Sequence, residues 1–114
     1  MIKASYASNG TAPGRRVHFW CPACDQAHGI VFGTPNSWTF NGDLERPTIT
    51  PSIKVGGVQW ETASGFHKQE HSSVAPGDPI CCHSFVTAGQ IQFLGDCTHD
   101  LAGQTVELPE WPYR

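Results

Sequence analysis

Cys21-Pro22-Ala23-Cys24 carries the plainest chemistry in the chain. Two thiolates at this spacing, on a turn between strands, can both reach one tetrahedral Zn2+ at Zn–S distances of about 2.3 Å. His28 follows, completing the pattern C-x2-C-x3-H. A fourth ligand must come from a distant segment. Cys82 is the first candidate, with Cys81 and His83 beside it. Successive strand residues point to opposite faces, so a Cys82 that reaches the metal turns His83 away unless a bulge intervenes. The expected ligands are Cys21, Cys24, His28 and Cys82, and His83 in place of His28 is the competing set. The other readings are a redox dithiol or two buried thiols. A redox Cys-x-x-Cys opens a helix after a strand in an alternating α/β chain. This sequence shows no such helix.

A second set of residues is polar and separate from the knuckle. It comprises Ser52, His83-Ser84, Asp96 and His99. A serine nucleophile needs a base within hydrogen-bond reach, and the base needs an orienting group. Ser52 follows Pro51 inside a strand-like run, which would fix the direction of its hydroxyl. His83 is the candidate base, with Asp96 or His99 as its support. The plainer reading is also open: serine and histidine occur in any β domain, and Asp96 can cap the turn at Thr98. Cys97 falls outside the expected zinc set. Nearby carboxylates should raise its thiol pKa and make it a poor nucleophile.

These groups need strands to hold them. Val17 to Trp20 reads as a strand running into the knuckle, and His28 to Phe32 resumes beyond it. Ser37 to Asn41 alternates and reads as a short third strand. Thr48 to Val55 places Ile49, Pro51, Ile53 and Val55 on one face. Pro51 cannot donate to a ladder, which implies an edge or a bulge. Gly56-Gly57 is read as its end, and residues 58–62 as a further short strand. Ser84–Thr87 and Gln90–Leu94 are joined by Ala88-Gly89, a two-residue link that closes a tight hairpin. Cys97 to Gly103 fits one helical turn capped by Thr98, and Thr105 to Leu108 a last strand. Residues 1–14 read as an irregular arm, with turn signals at Asn9-Gly10 and Pro13-Gly14. Residues 65–79 are polar and read as a long binding loop. The expected fold is one mainly β domain over residues 1–114, a small twisted sheet or open barrel with a zinc knuckle and no long helix.

Composition bounds the function. The chain has 114 residues with 39% apolar, against a usual globular fraction of roughly 45–50% that also counts glycine. So lean a core gains from a metal staple. A net charge of −3, with Arg15-Arg16 as the sole basic pair, gives no nucleic-acid surface. No apolar run approaches the roughly 20 residues that span a bilayer. The first residues lack the apolar centre of a signal peptide, so a cytoplasmic protein with reduced thiols is expected. Five cysteines, an odd number, also argue against a full disulfide framework. Four tryptophans and six phenylalanines supply a core or, alternatively, an aromatic groove for a peptide or sugar.

The segments FWCPACDQAHGI, WTFNGDLERPTITPSI and CHSFVTAGQIQFLGDCTHDLAGQTVELP together resemble a family of small phage and prophage proteins, some of them mislabelled as ammonia monooxygenase. A broader relative accompanies bacterial operons for ubiquitin-like conjugation, where a peptidase-like role has been proposed. The resemblance covers roughly Phe19 to Pro109. The broader family shares the cysteine knuckle, a Thr-x-x-Pro-Ser-Ile element, and a cysteine close to a histidine before a Gly-x-Ile hairpin. Here these fall on Cys21 and Cys24, on Thr48, Pro51, Ser52 and Ile53, on Cys82 and His83, and on Gly89 and Ile91. Cys82 and His83 stand closer together than in the broader pattern. The resemblance implies a zinc site beside a serine and a histidine able to form a hydrolytic pair. Nothing in the chain supports a monooxygenase, since it has neither a membrane span nor a copper-type histidine array.

The leading reading is a zinc-stabilised, phage-encoded hydrolase of serine-peptidase type. Ser52 is the nucleophile, His83 the base, and Asp96 or His99 the support. The substrate is a polypeptide tail, and a ubiquitin-like protein would provide one. The alternative is a non-enzymatic zinc-stabilised binding or assembly module that meets a phage or host protein through its aromatic surface and the loop over 65–79. A zinc hydrolase with an open coordination position is a third reading. Zinc deaminases use His and Cys ligands, but on helices with a Glu nearby, which the knuckle here lacks.

Overall fold

The computed structural model describes residues 1–58 and 79–113. Among them every regular element is a strand: β1 (Ala4–Ala7), β2 (Arg15–Cys21), β3 (Gln26–Phe32), β4 (Thr39–Phe40), β5 (Ile49–Val58), β6 (Pro79–Thr87), β7 (Gln90–Phe93) and β8 (Thr105–Glu107). They make two antiparallel sheets, one ordered β1-β2-β3 and the other β4-β5-β6-β7-β8. The mainly β fold expected from the alternation is therefore what forms. No helix among the described residues is long and apolar enough to cross a membrane.

Alternation in the sequence selects the buried faces. On β2 the inward residues are Val17, Phe19 and Cys21, and on β3 they are His28 and Ile30. On β6 they are Cys82, Ser84 and Val86, and on β7 Ile91 and Phe93. Both sheets feed one apolar cluster with Ile49, Ile53 and Leu108. The period of two has a chemical result here. It sends Cys21, His28 and Cys82 to the interior while His83 stays on the outer face.

Several local expectations change. The arm expected over 1–14 contains β1, which pairs with β2 and sets a fully buried Ala4 opposite Phe19. Its start is held by the Lys3 and Ala4 amides, which donate to the Leu44 carbonyl at 2.8 and 3.1 Å. Alanine and serine are too weakly patterned to announce such a strand. The third strand shrinks to Thr39–Phe40. Gly56-Gly57 does not end β5, because Gly56 and Gly57 pair with Cys81 and Ile80. Tertiary pairing overrides the low strand preference of glycine. The helical turn expected over 97–103 is a pair of tighter turns. Ala102 N–H donates to His99 O at 3.3 Å and Gln104 N–H to Leu101 O at 3.0 Å. The strand expected over 58–62 and the loop expected over 65–79 lie outside the described residues, apart from Val58 closing β5 and Pro79 opening β6.

Two features fix the frame of the site. Ala88 and Gly89 take φ values of 49° and 81°, the double positive φ of a type I′ turn, which sets the β6–β7 register at Thr87↔Gln90. Pro51 falls where the β5–β6 register shifts between Ile49 and Ile53. Because β5 is interior, the proline is accommodated by a bulge rather than by an edge.

His18 on β2 gives a test of the smaller sheet. Its Nε2 accepts from Arg16 Nε at 3.0 Å, and its ring lies so close over Gly29 that a Cβ there would come within 2.4 Å. Burial, and then the Arg16 charge, lower the His18 pKa. A histidine depressed in the folded state adds stability that is present above its ordinary value of about 6.5 and is lost as pH falls through the folded value. The melting temperature should therefore drop less between pH 7.5 and pH 5.5 in His18→Gln than in the parent. Equal drops would remove His18 from the pH response.

Candidate functional site

Four buried groups meet at the inner end of β2. They are Cys21, Cys24, His28 and Cys82, whose ligand atoms all lie within 4.8 Å of one another. The turn between β2 and β3 builds three of them. Asp25, at φ 53°, folds the chain back so that its amide donates to Cys21 O at 2.9 Å, and the Cys24 amide points at Cys21 Sγ at 3.4 Å. The fourth comes from β6 in the other sheet. His28 packs edge-on against Phe19 at 5.8 Å between ring centroids.

The donor set fits a metal ion. Cys21 Sγ and Cys82 Sγ are 3.8 Å apart. A tetrahedron with metal–sulfur bonds of about 2.3 Å has an edge of about 3.8 Å. His28 is 3% exposed, and its Nε2 has no hydrogen-bond partner among the described residues. A buried ring nitrogen without a partner costs free energy that a metal bond would offset. The thiols also polarise one another. Hydrogen bonds from Cys24 and Cys82 push Cys21 strongly down, while hydrogen bonding to Cys21 pushes Cys82 and Cys24 up. A divalent cation would let all three ionise. The cluster could thus hold a metal ion, and Cys21, Cys24, His28 and Cys82 would be its ligands.

On the outer face of the larger sheet lies a second arrangement. His83 Nε2 is 3.0 Å from Ser52 Oγ, and His83 Nδ1 is 3.1 Å from Asp96 Oδ2. A carboxylate only accepts, so Nδ1 donates to Asp96 and the neutral ring offers Nε2 as acceptor to the Ser52 hydroxyl. His83 is partly buried and Asp96 half exposed, with side-chain exposures of 23% and 51%. Trp38 Nε1 donates to Ser52 O at 3.2 Å, anchoring the bulged segment from the β4 side. Lys54 sits opposite His83 in the ladder and, like Phe85, is exposed.

His99 is not part of this chain of hydrogen bonds. It is 4% exposed, meets Phe93 edge-on at 4.5 Å between ring centroids, and its Nδ1 accepts from the Leu101 amide at 3.2 Å. Its ring nitrogen falls within 4.8 Å of the Cys82 and Cys97 sulfurs. Cys97 has a part that spacing does not reveal. Its Sγ accepts from His83 N–H and donates to His83 O, each at 3.2 Å. Its pKa is raised, by burial first and by Cys81 and Asp96 after that, against the lowering pull of the His83 and Leu94 amides. Thr98, expected as a helix cap, instead uses Oγ1 to accept from the Cys81 amide at 2.9 Å and to donate to Cys81 O at 3.2 Å. The hint in the sequence is their nearness to Asp96, one and two residues away.

Among the described residues, a two-sheet, all-strand fold with a buried three-cysteine, one-histidine cluster defines a small β protein that could hold a metal ion. A family model described as the bacterial ubiquitination-like system serine protease (BubE) matches residues 3–94, and the chain belongs to that family. The match takes in Cys21, Cys24, His28, Ser52, Cys82 and His83, and ends just before Asp96 and Cys97. No curated protein and no solved structure matches.

Two outcomes test this geometry. The purified protein should carry about one tightly bound metal ion per chain, as a four-ligand site requires, and Cys21→Ser should lose both metal and fold. Elemental analysis with thermal melting reads both, and a metal-free parent with an unchanged melting temperature would remove the metal. Ser84 is 1% exposed, and its Oγ lacks a partner among the described residues. Ser84→Ala should therefore lie within about 1 kcal/mol of the parent on either side of neutral. A loss of 3 kcal/mol or more, by the same scale, would mean that the hydroxyl has a strong partner.

Proposed function

We propose that the protein is a zinc-stabilised serine-type peptidase that cleaves a polypeptide tail, with Ser52 as nucleophile, His83 as base and Asp96 as the group orienting His83. The observation that carries this reading is the unbroken sequence Ser52 Oγ, His83 Nε2, His83 Nδ1, Asp96 Oδ2, with steps of 3.0 and 3.1 Å across the ring. The family described as a serine protease supports it independently. A ubiquitin-like C-terminal tail is the substrate class that the family description favours. The soft, sulfur-rich and closed donor set favours zinc in a structural role. Coding by a phage or prophage and action in the host cytoplasm extend the sequence resemblance.

The reaction follows from the proton positions. Ser52 Oγ attacks the scissile carbonyl carbon as its proton passes to His83 Nε2, and Asp96 holds the resulting imidazolium through Nδ1–H. The tetrahedral intermediate collapses, and the leaving amine takes the proton from Nε2. An acyl ester on Ser52 remains. Water then attacks that ester, giving its proton to Nε2, and the same proton returns to Ser52 as the acid product leaves. Asp96 stays a carboxylate throughout. A zinc ion held by Cys21, Cys24, His28 and Cys82 would act structurally, away from these atoms, because Cys82 and His83 face opposite sides of β6.

A binding module is the second reading. Its support is the row of rings formed by His18, Trp111, Tyr113 and Trp20, whose neighbouring centroids lie 5.8–6.2 Å apart. It is separated from the enzyme by labelling. A fluorophosphonate should modify the parent at Ser52 and leave Ser52→Ala and His83→Ala unmodified, while all three keep metal and melt alike. The double variant should cleave a tail peptide no worse than either single variant, because nucleophile and base act as one unit. Equal cleavage by Ser52→Ala and the parent ends the peptidase proposal.

A further inference from the structure

We propose that Cys97 is a positioning residue for His83, holding the peptide unit that carries the histidine so that its ring spans Ser52 and Asp96. Its significance for turnover rests on the peptidase reading above, but its geometric content does not.

The argument begins where the ladder stops. Strand β7 ends at Phe93, opposite Ser84, so β6 loses its strand partner on that side just before His83, while β5 still pairs along the other side. One bond continues the pairing, from the Leu94 amide to His83 O at 2.9 Å. Beyond it the chain turns away. The edge of β6 from Cys81 to His83 is then completed by side chains. Cys97 Sγ closes both His83 groups, accepting the amide proton and donating to the carbonyl at 3.2 Å each. Thr98 does the same for Cys81, reinforced by its own amide donating to Cys81 O at 3.0 Å. Each carbonyl thus accepts from one main-chain amide and one side chain, and each amide donates to a side chain.

The clamp acts on the whole triad. The His83 backbone determines where its ring begins, and Asp96, which receives Nδ1–H, is the residue before Cys97. One thiol therefore sets both ends of the 3.1 Å contact. The same Sγ lies within 4.8 Å of Cys82 Sγ. It occupies the narrow space between the buried cluster and the outer site. Displacing it would tilt the Cys82–His83 peptide, and shifts on the order of 1 Å at a reacting group can cost about a hundredfold in rate.

Serine keeps the donor and the acceptor, and valine keeps the bulk without either. Fluorophosphonate labelling should slow by about ten- to a hundredfold in Cys97→Val and stay within about threefold of the parent in Cys97→Ser, with metal content held. A second readout is independent of reactivity. In protein labelled with 15N at histidine, the His83 Nδ1–H resonance, assigned by its absence in His83→Gln, should persist in Cys97→Ser and be lost or shifted in Cys97→Val. If the parent is not labelled at all, the peptidase reading fails, and the positioning role is judged on the resonance alone. An unchanged resonance in Cys97→Val overturns the proposal, as does loss of metal in both Cys97→Val and Cys97→Ser, which would make Cys97 a ligand. Serine failing to restore what valine removes also overturns it.

Discussion

The approach of Cys21 and Cys82 across the interior, 3.8 Å from sulfur to sulfur, is the constraint on which the rest depends. One sulfur belongs to the three-stranded sheet and the other to the five-stranded sheet. The apolar cluster between the sheets is small, built from alanine, valine and isoleucine as much as from aromatic rings. A cation shared by ligands from both sheets would join them at one end with bonds much stronger than dispersion contacts. Because strand residues alternate, fixing Cys82 inward fixes His83 outward. The register of β6 thus couples the buried cluster, which could hold a metal ion, to the outer face that carries His83 through a single peptide bond.

The opposite wall of the site is made differently. Ser52 stands on a strand that bulges where Pro51 leaves the ladder, and its carbonyl is tied to Trp38 instead of to a neighbouring strand. That irregularity turns the hydroxyl toward the adjacent strand's histidine. Bulges next to reactive groups commonly serve to aim a side chain. The two halves of the site therefore rest on one regular strand held by its pleat and one irregular strand held by a tryptophan.

Much of this arrangement could be read from residue order. The knuckle, the hairpin at Ala88-Gly89 and the strand period follow from local chemistry that tertiary contacts do not oppose. Ser52, His83 and Asp96 group together by chemical role in the sequence, and folding puts them within hydrogen-bond distance. Local signals failed where long-range pairing decides. Ala4–Ala7 becomes a strand because Leu44 and β2 receive it. Gly56-Gly57 stays extended because β6 pairs with it. His99 reads like a supporting partner for a base, yet it is buried edge-on against Phe93 beside the cysteines. The work of Cys97 and Thr98 is invisible in one dimension, since it depends on β7 stopping at a particular residue.

That borrowed ladder has an evolutionary side. Main-chain hydrogen bonds are common to nearly every residue type, so mutation seldom removes one. At Cys81 and His83 the amide protons go instead to the side chains of Thr98 and Cys97, and those bonds are therefore written in the genetic code. A single nucleotide change can loosen or restore the edge of β6 while leaving the buried Cys/His cluster and the Ser52–His83–Asp96 residues untouched. Descendants of this chain thus have a dial for the stiffness of the site at two positions that perform no chemistry themselves.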